Sequence, residues 1–100
     1  MKIYIAGKIT GERDYKKKFR KVEKQIAKKG HSPMNPALLN GYNEFSYEDY
    51  IKITRSMQET CEAVYFLHGW EGSNGANKEY YYALKHGQKM FFDLNDIEKK

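Results

Sequence analysis

A chain of 100 residues with a net charge of +5 and one cysteine suits one domain, residues 1–100, and has no room for two. Cys61 has no partner for an internal disulfide, which points to the cytosol. No apolar run approaches a membrane span, and "MKIYIAGKITG" is broken by glycine too early to be a secretion signal. Nine tyrosines and five phenylalanines supply a core and leave large side chains over for a site or an interface. So short a chain buries a smaller share of its surface than a larger one, so a homodimer or higher homo-oligomer is expected.

"KIYIAG" (2–7) reads as a buried strand closed by Gly7. The loop "KITGERD" leads into a helix from Asp14 to Lys29, with Tyr15, Phe19, Val22 and Ile26 on one face and Gly30 as its stop. "HSPMNP" is a short, weak strand broken by Pro33 and Pro36. "ALLNGYNEF" is loop or irregular helix. Ser46 caps the next helix, with Glu48 and Asp49 in its first turn, and that helix runs to Cys61. "AVYFL" (63–67) is the second buried strand. A glycine-rich loop follows, then a helix from Gly75 to His86 ended by Gly87. "KMFFD" is the last strand, and "LNDIEKK" is a charged tail or short helix.

Strands alternating with helices call for an α/β fold of flavodoxin-like, Rossmann-like layering: a short parallel sheet with helices on both faces. Right-handed crossovers make 2-1-3-4 the simplest strand order. The switch point then lies between the strands ending at Gly7 and Leu67, where ligands sit beyond the carboxyl ends. The loops leaving those strands, "GKITGERD" and "HGWEGSNGANKE", are the two glycine-rich polar loops of the chain.

Glu79 stands just inside the helix after the second loop. Its bland reading is an acid complementing a helix dipole. Its functional reading rests on the glycines and Ser73 beside it, where a backbone can approach a ligand and free N–H groups can hold an anion. A carboxylate there would repel a phosphate unless it meets another part of the ligand, and attack on a sugar carbon fits. "GKITGERD" matches neither the Walker A pattern nor the dinucleotide fingerprint. Lys8, Thr10 and Arg13 still bring anion donors to the crevice. Tyr4 reads equally as core. Trp70 stacks on a base or packs at a dimer contact. The lysines and arginine from Lys16 to Lys29 read as a solvated face, with a nucleic-acid patch as the alternative. His31, His68 and His86 have no metal spacing. No metal, cofactor or membrane partner is expected.

"IYIAGKITG", "MNPA", "CEAVYFLHGWEGSNGANKE" and "ALKHG" resemble the nucleoside 2-deoxyribosyltransferase-like superfamily, and within it the small phage and bacterial DUF4406 group. "YIAGKITGERD" is similar to the first loop of the 2′-deoxynucleoside 5′-monophosphate N-glycosidases. The resemblance implies that Glu79 is the nucleophile taking the deoxyribosyl group and that Tyr4 assists it or contacts the sugar. It implies that Gly7, Lys8, Ile9, Thr10 and Gly11 border the ligand and that Ser73, with Gly75, binds a 5′-phosphate. The neighbouring Ala76 amide belongs to the same anion site, and Arg13 and Trp70 complete the set of expected contacts. Lys8 and Thr10 stand where those glycosidases carry serine and arginine. Their second acid falls near Thr54 and Arg55, leaving Asp49 or Glu62 as substitutes where geometry permits. The function expected is cleavage of the N-glycosidic bond of a nucleotide or nucleoside, by hydrolysis or deoxyribosyl transfer. A nucleotide-binding protein without catalysis is the alternative.

Overall fold

The computed structural model describes residues 1–39 and 44–100. Four strands, β1 (Lys2–Ala6), β2 (Ser32–Met34), β3 (Ala63–Phe66) and β4 (Lys89–Phe91), form one parallel sheet in the order β2-β1-β3-β4. Three helices, α1 (Tyr15–Lys28), α2 (Tyr47–Glu59) and α3 (Asn74–His86), make the crossovers.

The two central strands are the sequence's two continuous apolar runs. Residues Ile3 to Ala6 and Ala63 to Phe66 are almost wholly buried, as expected for parallel strands covered on both faces. Side chains alternate across the sheet. Ile3, Ile5, Ala63 and Tyr65 meet Phe19, Val22 and Ile26 of α1. Tyr4, Ala6, Val64 and Phe66 meet Ala83 of α3, with Met57 of α2 and Tyr80 of α3 packed beside them. Tyr4 therefore faces the α2–α3 side, whereas its neighbours in sequence face α1.

Local signals set the helix ends. Ser46 and Asp49 form a reciprocal cap: the Asp49 amide donates to Ser46 Oγ (3.1 Å) and the Ser46 amide donates to Asp49 Oδ2 (2.8 Å), an arrangement worth about 1 kcal/mol. Asp49 is thus committed to the start of α2. Gly87 ends α3 at φ +70°, in the left-handed region that glycine enters freely.

Several boundaries contract relative to the sequence reading. β4 stops at Phe91, and β1 and β3 stop one residue early. Residues Pro36–Leu39 form a 3₁₀ turn, while 40–43 of the "ALLNGYNEF" stretch lie outside the described residues. The charged tail holds a core residue. Ile97 is 1% exposed and joins the α1 side of the core, while the Lys100 amide donates to the Lys29 carbonyl (2.8 Å). Among the described residues no helix is long and apolar enough to cross a membrane.

Candidate active site

The chain leaves β1 toward α1 and β2 on one side, and leaves β3 toward α3 and β4 on the other. The carboxyl ends of β1 and β3 lie side by side, with Ala6 opposite Phe66 and the Leu67 amide donating to the Ala6 carbonyl (2.9 Å). Gly7 is required there by space. A methyl group on it would stand 2.7 Å from Leu67 Cδ1 and 3.2 Å from Phe19 Cζ.

A cleft of about 440 Å³ opens at this crevice, the position where open parallel sheets bind ligands. The loop after β1 contributes Gly7, Ile9 and Thr10, and the loop entering α3 contributes Gly72, Ser73, Asn74, Gly75 and Ala76. Tyr4 of β1 and Glu79 of α3 also line it. Gly75, Ala76 and Glu79 share one face of α3 by their spacing of three and four residues.

Tyr4 and Glu79 are joined: the Tyr4 phenol donates to Glu79 Oε2. Tyr4 is fully buried, and Glu79 is half-buried and lines the cleft. Burial raises the Glu79 carboxyl to about 7, against the opposing pull of the Tyr4 hydrogen bond and the positive charge of Arg55. The Tyr4 phenol is pushed well above its usual value, first by burial and then by the charge and hydrogen bond of Glu79. A carboxyl poised near neutrality in a cleft is a mark of functional sites. At its other end Glu79 is anchored through its backbone. Gln58 of α2 donates from Nε2 to the Glu79 carbonyl (2.9 Å) and to Gln88 Oε1 (3.1 Å). Gln88 in turn donates to the carbonyls of Gln58 and Cys61, each at 2.9 Å.

Ser73 caps α3, its Oγ accepting from the Ala76 amide (3.2 Å). Its hydroxyl hydrogen remains available for a ligand. The first-turn amides of a helix lack intrahelical partners, so the amides of Asn74 and Gly75 belong to the cleft's polar rim.

Tyr4, Gly7, Ile9, Thr10, Ser73, Gly75, Ala76 and Glu79 therefore come together around one cleft. Lys8, Gly11, Arg13 and Trp70 are not among its described lining residues. Lys8 reaches toward the α3 loop, its Nζ 4.0 Å from where a methyl on Gly72 would stand. Gly11 makes a turn at φ +78°, and Arg13 is exposed. Trp70 lies in an aromatic cluster, stacked on Tyr80 (5.1 Å between ring centres) and packed on Phe66 (4.9 Å) and Phe92 (5.9 Å).

The sequence reading missed the α2 side of the lining. Tyr47, Tyr50, Ile51 and Thr54 of α2 line the cleft. Their spacing of 0, 3, 4 and 7 is that of a core-facing helical stripe, a signal present in the sequence. Here the stripe faces the cleft, and Gln58, one turn on, is the buried residue of α2.

Neither substitute for a second acid reaches this space. Asp49 is held in the α2 cap, and Glu62 lies at the amino end of β3, where its Oε1 accepts from the Lys2 amide (3.2 Å). Glu79 is the one carboxylate among the described lining residues. Among the described residues no three His, Cys, Asp or Glu side chains gather as a metal-binding group.

The family model described as "Domain of unknown function (DUF4406)" matches residues 1–92. The chain belongs to the DUF4406 family. No curated protein matches it at a significant level. Among solved structures, this DUF4406 chain is similar to a 2-deoxyribosyltransferase from the psychrotolerant bacterium Bacillus psychrosaccharolyticus, a biocatalyst for nucleoside synthesis. The TM-score is 0.74 at 17% identity, over 100% of this chain and 92% of that one. The DUF4406 chain thus has the nucleoside 2-deoxyribosyltransferase-like fold.

Proposed function

We propose that this DUF4406 protein cleaves the N-glycosidic bond of a nucleoside or nucleotide, with Glu79 as nucleophile. The observation that carries the reading is the hydrogen-bonded Tyr4–Glu79 pair on the cleft at the switch point. The fold shared with a 2-deoxyribosyltransferase supports it. In its ionised form Glu79 attacks C1′ of the sugar, the base departs, and the glycosyl ester passes to water or to a second base. The Tyr4 phenol holds one carboxylate oxygen, which leaves the other to face the sugar. Thr10, with Lys8 and Arg13 beyond the described lining, approaches the ligand from the β1 loop. Trp70 stiffens the loop that carries Ser73.

The test is incubation with a panel of deoxynucleosides, ribonucleosides and their 5′-monophosphates, read by chromatography of free base. Release from at least one of them is the expected result. Absence of release from all of them, with binding intact, would leave the second reading, a nucleotide binder. The lack of a second carboxylate in the described cleft favours that reading.

The start of α3 is read as the 5′-phosphate site. A monophosphate should then bind more tightly than its nucleoside by about 1.5–3 kcal/mol, the range for hydrogen bonds to a charged group. Ser73→Ala should remove part of this margin and leave nucleoside affinity unchanged. Calorimetry with both ligands on both proteins decides it, and equal affinities in the wild type would refute the phosphate site.

The functional unit is proposed as a cytosolic homodimer. Tyr81 and Leu84 lie three residues apart on α3 and are 65% and 57% exposed, an apolar surface that a second copy would cover. Sedimentation should show a dimer that Tyr81→Glu with Leu84→Glu converts to monomer. A monomeric wild type at micromolar concentration would refute it.

A further inference from the structure

Breaking an N-glycosidic bond leaves an electron pair on the base nitrogen. A neutral purine or pyrimidine needs a proton there as the bond breaks, and a positioned acid contributes roughly 10²–10⁴-fold. The described cleft has no side chain suited to deliver it. Glu79 must be ionised to attack C1′ and cannot give a proton in the same step. The Tyr4 phenol already donates to Glu79 and is held well above its usual pKa by burial and that carboxylate. Asp49 and Glu62 are committed elsewhere. The remaining polar side chains on the described lining are the hydroxyls of Thr10, Thr54, Ser73, Tyr47 and Tyr50 and the Asn74 amide. Aliphatic hydroxyls and amides are not acids at neutral pH, and phenols, with reference values of about 10, are weak ones.

What the cleft does offer is one carboxylate in a lining that also holds Tyr47, Tyr50 and Ile51 of α2. Aromatic side chains accept a flat ring, and their faces favour a cationic one. Cations stand beside the cleft but outside its described lining: Lys8 Nζ is 4.0 Å from where a methyl on Gly72 would stand, and the positive charge of Arg55 acts on Glu79. The Arg55 guanidinium lies over the Tyr82 ring (4.5 Å), and the Lys78 ammonium lies over the Tyr47 ring (5.5 Å). Neither residue is among the described lining.

We infer that the preferred substrates are N-glycosides whose base is already cationic, namely N-ribosyl- or N-deoxyribosylpyridinium nucleosides and their 5′-monophosphates. This specificity rests on the reading of Glu79 as nucleophile. With such a substrate the Glu79 carboxylate oxygen bonds to C1′ as the C1′–N bond breaks. The electron pair goes to the ring nitrogen, and the pyridine leaves neutral with no proton required. Water then attacks C1′ of the glycosyl ester. It gives the free sugar and restores the Glu79 carboxylate, and one proton passes to solvent. The positive ring also pairs with Glu79 before cleavage and favours its ionised form.

The experiment uses the full chain with nicotinamide mononucleotide and its 2′-deoxy counterpart as pyridinium probes. Uridine and deoxyuridine 5′-monophosphates are the sugar-matched neutral controls. Base release is measured for wild type and Glu79→Gln from pH 6 to 9. The expected result is a kcat/KM at least about 100-fold higher for the pyridinium probes than for the controls. Their rate should rise to a plateau at alkaline pH with no descending limb, and Glu79→Gln should abolish it. Equal rates on both substrate types, or cleavage of the neutral controls alone, would overturn the specificity and leave Glu79 as nucleophile. Cleavage of the pyridinium probes undiminished in Glu79→Gln, or of no probe at all, would overturn the reading beneath it.

Discussion

Glu79→Gln should lower base release by on the order of 10⁴-fold, the scale of losing a nucleophile that acts with a partner. The amide keeps the shape of the carboxyl, and its oxygen can still accept from the Tyr4 phenol, as Glu79 Oε2 does in the native chain. Ligand affinity should therefore stay within about tenfold of wild type, measured by calorimetry. Tyr4→Phe is the informative comparison. It keeps the nucleophile but removes a hydrogen bond that holds the Glu79 pKa down. The acidic limb of its rate profile, set near pH 7 in the wild type, should move to higher pH. Turnover that survives in Glu79→Gln would assign the chemistry to another group.

The second large effect is on stability and is separable from activity. Glu79 is raised from 4.5 to about 7 in the folded chain, chiefly by burial. The folded state thus holds this proton more tightly than the unfolded state does. Below pH 4.5 both states are protonated and the stabilisation is fully present. Between pH 4.5 and 7 the unfolded chain ionises first and the stabilisation is progressively lost. Above pH 7 both states are ionised and no further change comes from this group. A shift of this size corresponds to about 3 kcal/mol. Glu79→Gln removes the dependence without removing the side chain. Relative to wild type it should gain about 3 kcal/mol between pH 4.5 and pH 8, read by urea unfolding of both proteins at each pH. The difference between the two proteins isolates the contribution of this one group. Parallel pH curves for the two would show that Glu79 titrates as an ordinary glutamate. The gain at high pH has a functional reading: a half-buried carboxylate on a cleft costs stability that an active site accepts.

The layout of this protein is written in local patterns. Two apolar runs too continuous for a one-sided sheet, "IYIA" and "AVYF", call for central parallel strands, and both are buried in the folded chain. Right-handed crossovers then leave the order β2-β1-β3-β4 as the simplest, and it is the order found. The strand order in turn places the two glycine-rich loops at one crevice, so the position of the cleft was legible before any contact was known. The start of α2 and the end of α3 follow from Ser46 and Gly87, because capping is a matter of a few neighbouring residues.

Contacts between distant residues were not legible in this way. Tyr4 and Glu79 lie 75 residues apart. Composition and spacing left an ordinary reading open for each, Tyr4 as core and Glu79 as a dipole acid, and only the family resemblance linked the two. Their hydrogen bond exists because alternation turns Tyr4 toward the α3 side of the sheet while α3 packs there through Ala83. The stripe of Tyr47, Tyr50, Ile51 and Thr54 has a period that marks one face of a helix and says nothing of what that face meets. Here it meets the cleft. Ile97 in the charged tail, Trp70 in its aromatic cluster and the Gln58–Gln88 pair are of the same kind. Periodicity and capping act over a few residues and are carried by the local chain. Which surfaces close on one another, and which groups lose their water in doing so, depends on the packing of the whole molecule, and that loss of water is what raises the carboxyl of Glu79.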